Sequence, residues 1–184
     1  MTIVFVAGSI AISRLHPLVV ARLATVVTRG LSVVVGDADG VDAAVQHALV
    51  ADAASAVTVY CSGDTPRNNA GDWPVETIQS IATPGTRAWF TAKDLAMAEA
   101  ADYGLMIWDA KSTGTLSNVL ALVAQRKTCV VFVNKDKEFV TTSDADGIDQ
   151  LVARMSDAAR AKAETKMGLS RRIAALRNEQ LALI

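Results

Sequence analysis

The sequence predicts an α/β protein, a single Rossmann-like three-layer sandwich with a mainly parallel sheet of about five strands, followed by C-terminal helices. Two observations predict this fold. Short apolar runs rich in β-branched side chains recur without polar alternation, as is typical of strands buried on both faces. Stretches with helical spacing of apolar residues separate these runs, and strands that alternate with helices form βαβ units with right-handed crossovers.

Five apolar runs are predicted as strands, and four stretches between or after them as helices. The predicted strands are Ile3–Ala7, Leu31–Val35, Ala56–Tyr60, Tyr103–Trp108 and Cys129–Val133. The predicted helices are Leu18–Thr28, Val41–Ala51, Ala92–Ala101 and Leu116–Arg126. The segment 61–86 is long, polar and rich in Gly, Pro, Asn and Asp, which is typical of a functional or mobile loop.

The C-terminal part from Asp144 is again helical, and Gly168 is predicted to separate two helices. The last helix carries an apolar stripe that must be buried, formed by Leu169, Ile173, Leu176 and Leu183. We expect the first helix to fold back on its own subunit and the last to pack on a partner, giving a homo-oligomer. The predicted division is a nucleotide-binding domain over 1–135 and a helical extension over 136–184.

Composition sets further expectations. A chain of 184 residues predicts one domain. The formal net charge of −1 argues against a general nucleic-acid coat, so a nucleic-acid partner is not expected. The two cysteines form no disulfide framework and no zinc-ligand spacing, so no metal or cofactor is expected. No basic leader and no apolar run of the ~20 residues needed to span a membrane is found, which predicts a cytoplasmic protein without membrane contacts.

Ligands of open parallel sheets bind beyond the carboxyl ends of the strands, so the residues that follow each strand are the candidate binding residues. The first strand is followed by Gly8 and Ser9, which allow a ligand close to the backbone. The fourth is followed by Asp109 and then by a turn into a helix over Ser112, Thr113, Gly114 and Thr115. The free N–H groups and the dipole of that helix predict a phosphate site there. The alternative is that Ser112 or Thr113 only caps the helix.

Carboxylates crowd the turn GDADGVD that follows the second strand. Gly36 ends the strand and Gly40 opens the next helix. If Asp39 caps that helix, Asp37 and Asp42 are free to bind a ribose hydroxyl, a base edge or a metal, and they are the candidate catalytic residues. The alternative is a structural turn whose acidic groups favour the helix dipole.

A third candidate segment follows the third strand and contains Arg67, Asn68 and Asn69. A guanidinium fork suits a phosphate or carboxylate, and adjacent amides can read a base edge. The alternative is a solvated turn, because Asn is a common turn residue.

Four segments together resemble the SLOG superfamily, which includes the "lonely guy" phosphoribohydrolases and the DNA-processing protein of bacterial transformation. They are GSI at the start, GDADGVDAAVQ, PRNNAGDW and AKDLAMAEAADYGLMIWDAKSTGTLSNVLALVAQRK. The resemblance covers roughly residues 1–135 and implies a Rossmann-like domain that binds a nucleotide or a nucleotide-derived ligand.

The resemblance leaves the activity open. In the phosphoribohydrolases a catalytic glutamate follows the glycine-rich phosphate motif, whereas Asn118 stands at that place here. An amide can orient ribose hydroxyls but cannot act as a general base. The expected function is therefore nucleotide binding, with hydrolysis of the N-glycosidic bond as one outcome. The alternatives are a non-catalytic nucleotide sensor and a DNA-associated protein that uses the basic C-terminal helices.

Overall fold

The computed structural model describes residues 1–181, and this part of the chain contains seven strands and seven helices. The strands are β1 (Ile3–Gly8), β2 (Ser32–Gly36), β3 (Val57–Ser62), β4 (Val75–Ile78), β5 (Tyr103–Trp108), β6 (Thr128–Val133) and β7 (Glu138–Thr142). The helices are α1 (Pro17–Thr28), α2 (Val41–Ala51), α3 (Arg87–Ala100), α4 (Thr113–Ala124), α5 (Ala145–Val152), α6 (Asp157–Met167) and α7 (Leu169–Leu181).

All seven strands form one sheet in the order β4-β3-β2-β1-β5-β6-β7. Every neighbouring pair is parallel except β6 and β7. Side chains of β1 alternate between the two faces. Val4 and Val6 pack with α1 and α2, whereas Phe5 and Ala7 pack with α3, α4 and the C-terminal helices. The predicted three-layer α/β sandwich is therefore confirmed.

The sheet has seven strands rather than about five, because two edge strands were not predicted. β4 lies inside the polar segment 61–86, is only four residues long and is half exposed. β7 follows a tight turn after β6 and pairs with it in antiparallel register, from Val133 opposite Glu138 to Cys129 opposite Thr142. Edge strands lack the continuous apolar run on which the sequence prediction depends.

α4 is buried on nearly all sides, with nine of its twelve residues buried. One side packs on β1, β5 and β6, and the other is covered by α6 and α7. A helix that is apolar all round requires such a double cover. The C-terminal helices therefore form an additional layer over α4.

The last helix, α7, buries its apolar stripe in its own chain and not against a partner subunit as predicted. Leu169 and Leu176 of α7 are 4% and 6% exposed, and they are buried in the core of the same chain. The stripe assigned to a partner subunit thus packs against α4 and α5, so the argument for a homo-oligomer through this helix fails. Leu183, the last member of the stripe, lies outside the described residues.

The C-terminal segment contains three described helices, since Ser156 caps α6 and ends the run that was predicted as a single helix. Gly168 does separate α6 from α7, with the left-handed φ of 59° that favours glycine. β7, which lies after the predicted boundary at residue 135, completes the sheet. Among residues 1–181, no helix combines the length and the apolar character needed to cross a membrane.

Candidate functional site

The sheet order places a topological switch point between β1 and β5. The chain builds the sheet outward from β1 to β4 and then crosses to the other side of β1. Ligands of open parallel sheets bind at such points. A cleft of about 360 Å³ opens there, at the carboxyl edge of the strands. The predicted site residues that line it are Gly8, Asp42, Arg67, Ser112, Gly114, Thr115 and Asn118.

The remaining predicted site residues do not line the cleft. They are Ser9, Gly36, Asp37, Asp39, Gly40, Asn68, Asn69, Asp109 and Thr113. The prediction missed several residues of α3 that form one wall, namely Arg87, Phe90, Thr91, Lys93 and Asp94. These residues follow no strand directly, and only the return of α3 to the sheet brings its first turns to this edge.

The start of α4 is fixed by a network that joins it to the end of β1. Ser9 Oγ donates to Asp109 Oδ1 at 3.0 Å, and the Asp109 N–H donates to Ser9 Oγ at 3.1 Å. Asp109 Oδ1 also accepts from the N–H groups of Lys111, at 2.9 Å, and Ser112, at 2.7 Å. Ser112 is the N-cap and accepts from the N–H of Thr115 at 3.3 Å. Ser112 therefore caps the helix, as the alternative stated.

The cap leaves two backbone donors of α4 free. The N–H groups of Thr113 and Gly114 make no hydrogen bond within residues 1–181, while those of the next two residues are bonded to Ser112. Gly114 is exposed, and the nearest atom to an added Cβ would be Ser112 Oγ at 3.9 Å. Capping and anion binding are thus compatible here, because each uses different N–H groups.

Asn118 lies one turn further along α4 and lines the same cleft. The residue is 8% exposed, and its side-chain amide makes no hydrogen bond within residues 1–181. Its polar atoms are not among the fully buried unpaired ones, so the amide is open to the cleft. An unpartnered amide on the wall of a cleft is suited to hydrogen-bond a bound ligand.

The Arg67 fork is already occupied by Asp37. Arg67 Nη2 donates to Asp37 Oδ1 at 2.8 Å, and its Nε and backbone N–H donate to Asp37 Oδ2 at 3.0 and 3.1 Å. The guanidinium also lies over the ring of Phe90, 4.8 Å from the centroid. The bidentate edge of Arg67 is therefore directed to a carboxylate of the protein. The guanidinium as a whole contributes positive charge and a flat surface to the cleft.

The two asparagines after Arg67 hold the loop in place. Asn68 Nδ2 donates to the Asp37 carbonyl at 2.9 Å and to Asp39 Oδ1 at 3.1 Å. Asn69 exchanges hydrogen bonds with the Trp73 backbone, at 2.8 and 3.0 Å. Asp39 makes no cap at the start of α2, since Gly40 is the N-cap residue and no side chain bonds there.

Lys93 and three carboxylates form a buried charge cluster under the cleft. Lys93 is 3% exposed, and its Nζ lies 3.2 Å from Asp94 Oδ1 and 3.7 Å from Asp37 Oδ1. Burial acts to lower the pKa of Lys93, but the charges of Asp94, Asp42 and Asp37 outweigh it and raise this pKa. Gly36 permits the close approach, because a Cβ there would meet Lys93 Nζ at 2.6 Å.

The two candidate catalytic carboxylates have opposite protonation behaviour. Burial raises the pKa of Asp42 from 3.8 to about 7, even though the charge of Lys93 opposes the shift. Burial also acts to raise the pKa of Asp37, but the hydrogen bonds from Arg67 and the charge of Lys93 outweigh it and hold this pKa below the ordinary value. The cleft thus has one carboxyl that exchanges a proton near neutral pH and one that stays ionised.

No protein-family model matches the sequence, and a search of curated proteins finds no significant match. One similar solved structure is that of DNA processing protein A from Helicobacter pylori, described for its single-stranded DNA binding mode. The TM-score is 0.57 at 20% sequence identity, over 83% of this chain and 72% of that one. At this identity the likeness supports the Rossmann-like fold.

This comparison corrects one expectation from composition. The net charge of −1 led to the prediction that a nucleic-acid partner is unlikely, and that exclusion is wrong, since a structurally similar protein binds single-stranded DNA. Net charge is a sum over the whole chain, whereas binding depends on the charges around one cleft. Arg67, Arg87 and Lys93 all line the cleft of this chain.

Proposed function

We propose that the protein binds single-stranded DNA in the cleft at the switch point, with a phosphate group on the amino end of α4. The observation that carries the proposal is the free N–H group of Gly114, which lines the cleft together with the amide of Asn118 and adjoins the free N–H of Thr113. Such N–H groups and the positive end of the helix dipole bind anions without further adaptation.

Arg87 supports the same proposal. It is exposed, lines the cleft and makes no salt bridge with any carboxylate in the described part of the chain. Phosphate contacts by unpaired cations supply most of the affinity for single strands. The similar structure of a protein that binds single-stranded DNA adds support at the level of the fold.

Binding of a fluorescein-labelled oligothymidylate, followed by fluorescence anisotropy, tests the proposal. We expect Arg87→Ala to weaken binding at least tenfold, since a hydrogen-bonded charge contributes roughly 1.5–3 kcal/mol and ~1.4 kcal/mol corresponds to a factor of ten. Arg29→Ala is the matched control, because Arg29 is also exposed and makes no salt bridge within residues 1–181, but lies at the opposite edge of the sheet. Equal affinity of wild type and Arg87→Ala, or no binding by the wild type, contradicts the proposal.

A second candidate function is hydrolysis of the N-glycosidic bond of a mononucleotide, and one observation favours it. Asp42 lines the cleft and has a pKa of about 7, so it can donate or accept a proton at neutral pH. In this mechanism α4 holds the 5′-phosphate, Asn118 orients the ribose and Asp42 protonates the departing base as the bond to C1′ breaks. A water molecule adds to C1′ and releases its proton, which restores the protonated Asp42. Chromatography of nucleoside monophosphates after incubation tests it. Release of free base that Asp42→Asn abolishes is the expected result, and intact nucleotide throughout excludes the activity.

A further inference from the structure

We propose that Arg172 of α7, together with Arg87 of α3 and Ser117 of α4, forms a second anion position beside the cleft that receives a neighbouring phosphate of the bound strand. This inference rests on the proposed function and extends it from a single nucleotide to a ligand with at least two phosphates. It also gives the C-terminal extension a part in ligand binding.

Arg172 is a half-buried cation that makes no salt bridge within residues 1–181. Its Nη1 donates to Ser117 Oγ at 2.9 Å, which is the single hydrogen bond its guanidinium makes within residues 1–181. A guanidinium carries five N–H donors, so most of its donors are unused. Burial lowers the pKa of Arg172, and the nearby positive charge of Arg87 lowers it further.

Other arginines of the C-terminal segment are arranged differently. Arg154 pairs with Asp136 and Glu138, Arg160 pairs with Asp157, and Arg177 pairs with Asp149 at 2.5 Å. Arg172 instead makes no salt bridge in the described residues, and neither does Arg87, whose positive charge acts on it. Two unpaired like charges that act on each other are both stabilised when an anion binds near them.

The position of Ser117 relates this pair to the first phosphate site. Ser117 follows Gly114 by three residues on α4, so it lies on the same side of the helix nearly one turn, or ~4.5 Å, further along. Arg87 lines the cleft beside Gly114 and also acts on the charge of Arg172. Two anion positions this far apart fit two groups of one ligand, and an oligonucleotide supplies them.

The experiment compares two ligands and two adjacent arginines. Affinities of the full-length protein for an oligothymidylate and for thymidine 5′-monophosphate are measured for wild type, Arg172→Gln and Arg171→Gln. Arg171 is the matched control, because it is exposed and has no salt-bridge partner in the described residues. We expect Arg172→Gln to lower the oligonucleotide affinity about tenfold and to leave the monophosphate affinity unchanged. The slope of log K against log salt should be less steep by about 0.7 for Arg172→Gln than for wild type, which corresponds to the loss of one phosphate contact.

Equal oligonucleotide affinities for Arg172→Gln and Arg171→Gln overturn the inference, as does an equal loss for both ligands. A wild type that binds no oligonucleotide instead overturns the proposed function itself, so the two failures are distinguishable. Circular dichroism checks the fold of each variant. If Arg172→Gln does not fold, Arg172→Met keeps the aliphatic stem but removes the charge. Unchanged oligonucleotide affinity in that variant would then count against the inference.

Discussion

Asp37 and Asp42 belong to the same turn, yet their surroundings make one a permanent anion and the other a carboxyl that titrates near neutral pH. The sequence GDADGVD predicted a crowd of carboxylates but not this division, because the groups that cause it come from distant segments. Arg67 and Lys93 approach Asp37, while Asp42 is buried with weaker compensation. Only the folded chain determines which carboxylate is paired.

This difference predicts opposite effects of two substitutions on stability. The folded-state pKa of Asp42 lies above 3.8, so its contribution is greatest below pH 4 and is lost as the pH rises to about 7. We therefore expect Asp42→Asn to be more stable than wild type at pH 8, with the gain disappearing towards pH 4. The folded-state pKa of Asp37 is depressed, so its contribution is present above 3.8 and is lost at lower pH.

Asp37→Asn is consequently expected to lose about 3–5 kcal/mol at pH 7, as for a broken buried ion pair, and less below pH 4. Urea unfolding of both variants from pH 4 to 8 measures these effects. The same sign of change for both variants at pH 8 would show that their environments are alike.

Gly114 allows anion binding to be separated from helix stability. Because no atom lies closer than 3.9 Å to an added Cβ, both Gly114→Ala and Gly114→Asp should fold. Aspartate in the first turn interacts favourably with the helix dipole, so Gly114→Asp should be as stable as Gly114→Ala or up to ~1 kcal/mol more stable. Its negative charge occupies the anion site, so its oligonucleotide affinity should fall at least tenfold below that of Gly114→Ala. Thermal unfolding measures the stability, and fluorescence anisotropy measures the oligonucleotide affinity. A Gly114→Asp variant with the affinity of Gly114→Ala would show that the amino end of α4 does not bind the phosphate.

At the scale of elements, the interior strands and helices could be predicted because their apolar runs are long and continuous. The free pair of N–H groups at α4 could be anticipated from the strand-to-helix turn, but the role of α3 could not. Arg87 and Lys93 belong to a helix of ordinary composition, and their place in the cleft depends on how that helix crosses the sheet. The edge strands β4 and β7 were missed because half-exposed strands carry a weak apolar signal.

α7 supplies a test of the layer that covers α4. Leu176 is 6% exposed in the core of its own chain, whereas Leu18 on α1 is 48% exposed. We expect Leu176→Ala to cost about 2–5 kcal/mol of unfolding free energy and Leu18→Ala to cost well under 1 kcal/mol. Chemical denaturation at a protein concentration well below micromolar makes the measurement independent of any association. A loss in Leu176→Ala that appears only at high concentration would mean that the helix packs on a second subunit.

At the scale of the molecule, the pattern of apolar residues along the chain predicted the correct fold class, whereas the net charge led to a wrong exclusion of nucleic-acid partners. Many apolar residues along the whole chain build the core, so the sequence pattern predicts the fold well. Function depends on where a few charges lie. A chain with net charge −1 still places one cation without a salt bridge in the described residues, Arg87, on the cleft, where Arg67 and Lys93 are paired with carboxylates.

The sheet and the C-terminal helices should behave as one cooperative unit. Removing residues 136–184 deletes β7 and uncovers the outer side of α4, whose apolar residues include Leu120 and Val123. We therefore expect a fragment of residues 1–135 to show no cooperative urea transition, and the full chain to show a single one. Near-ultraviolet circular dichroism of the three tryptophans follows the transition. A fragment that unfolds with the midpoint of the full chain would establish residues 1–135 as an independent domain.

The hydrogen bonds that join Ser9, Asp109 and Ser112 have a consequence for the kinetics of ligand capture. They connect residues 100 positions apart in the chain and fix the amino end of α4 before any ligand arrives. A receptor site formed in advance loses little conformational entropy on association. Complex formation should therefore proceed in one exponential phase with a rate proportional to ligand concentration. Its speed should reflect diffusion and electrostatic steering rather than a rearrangement of the protein.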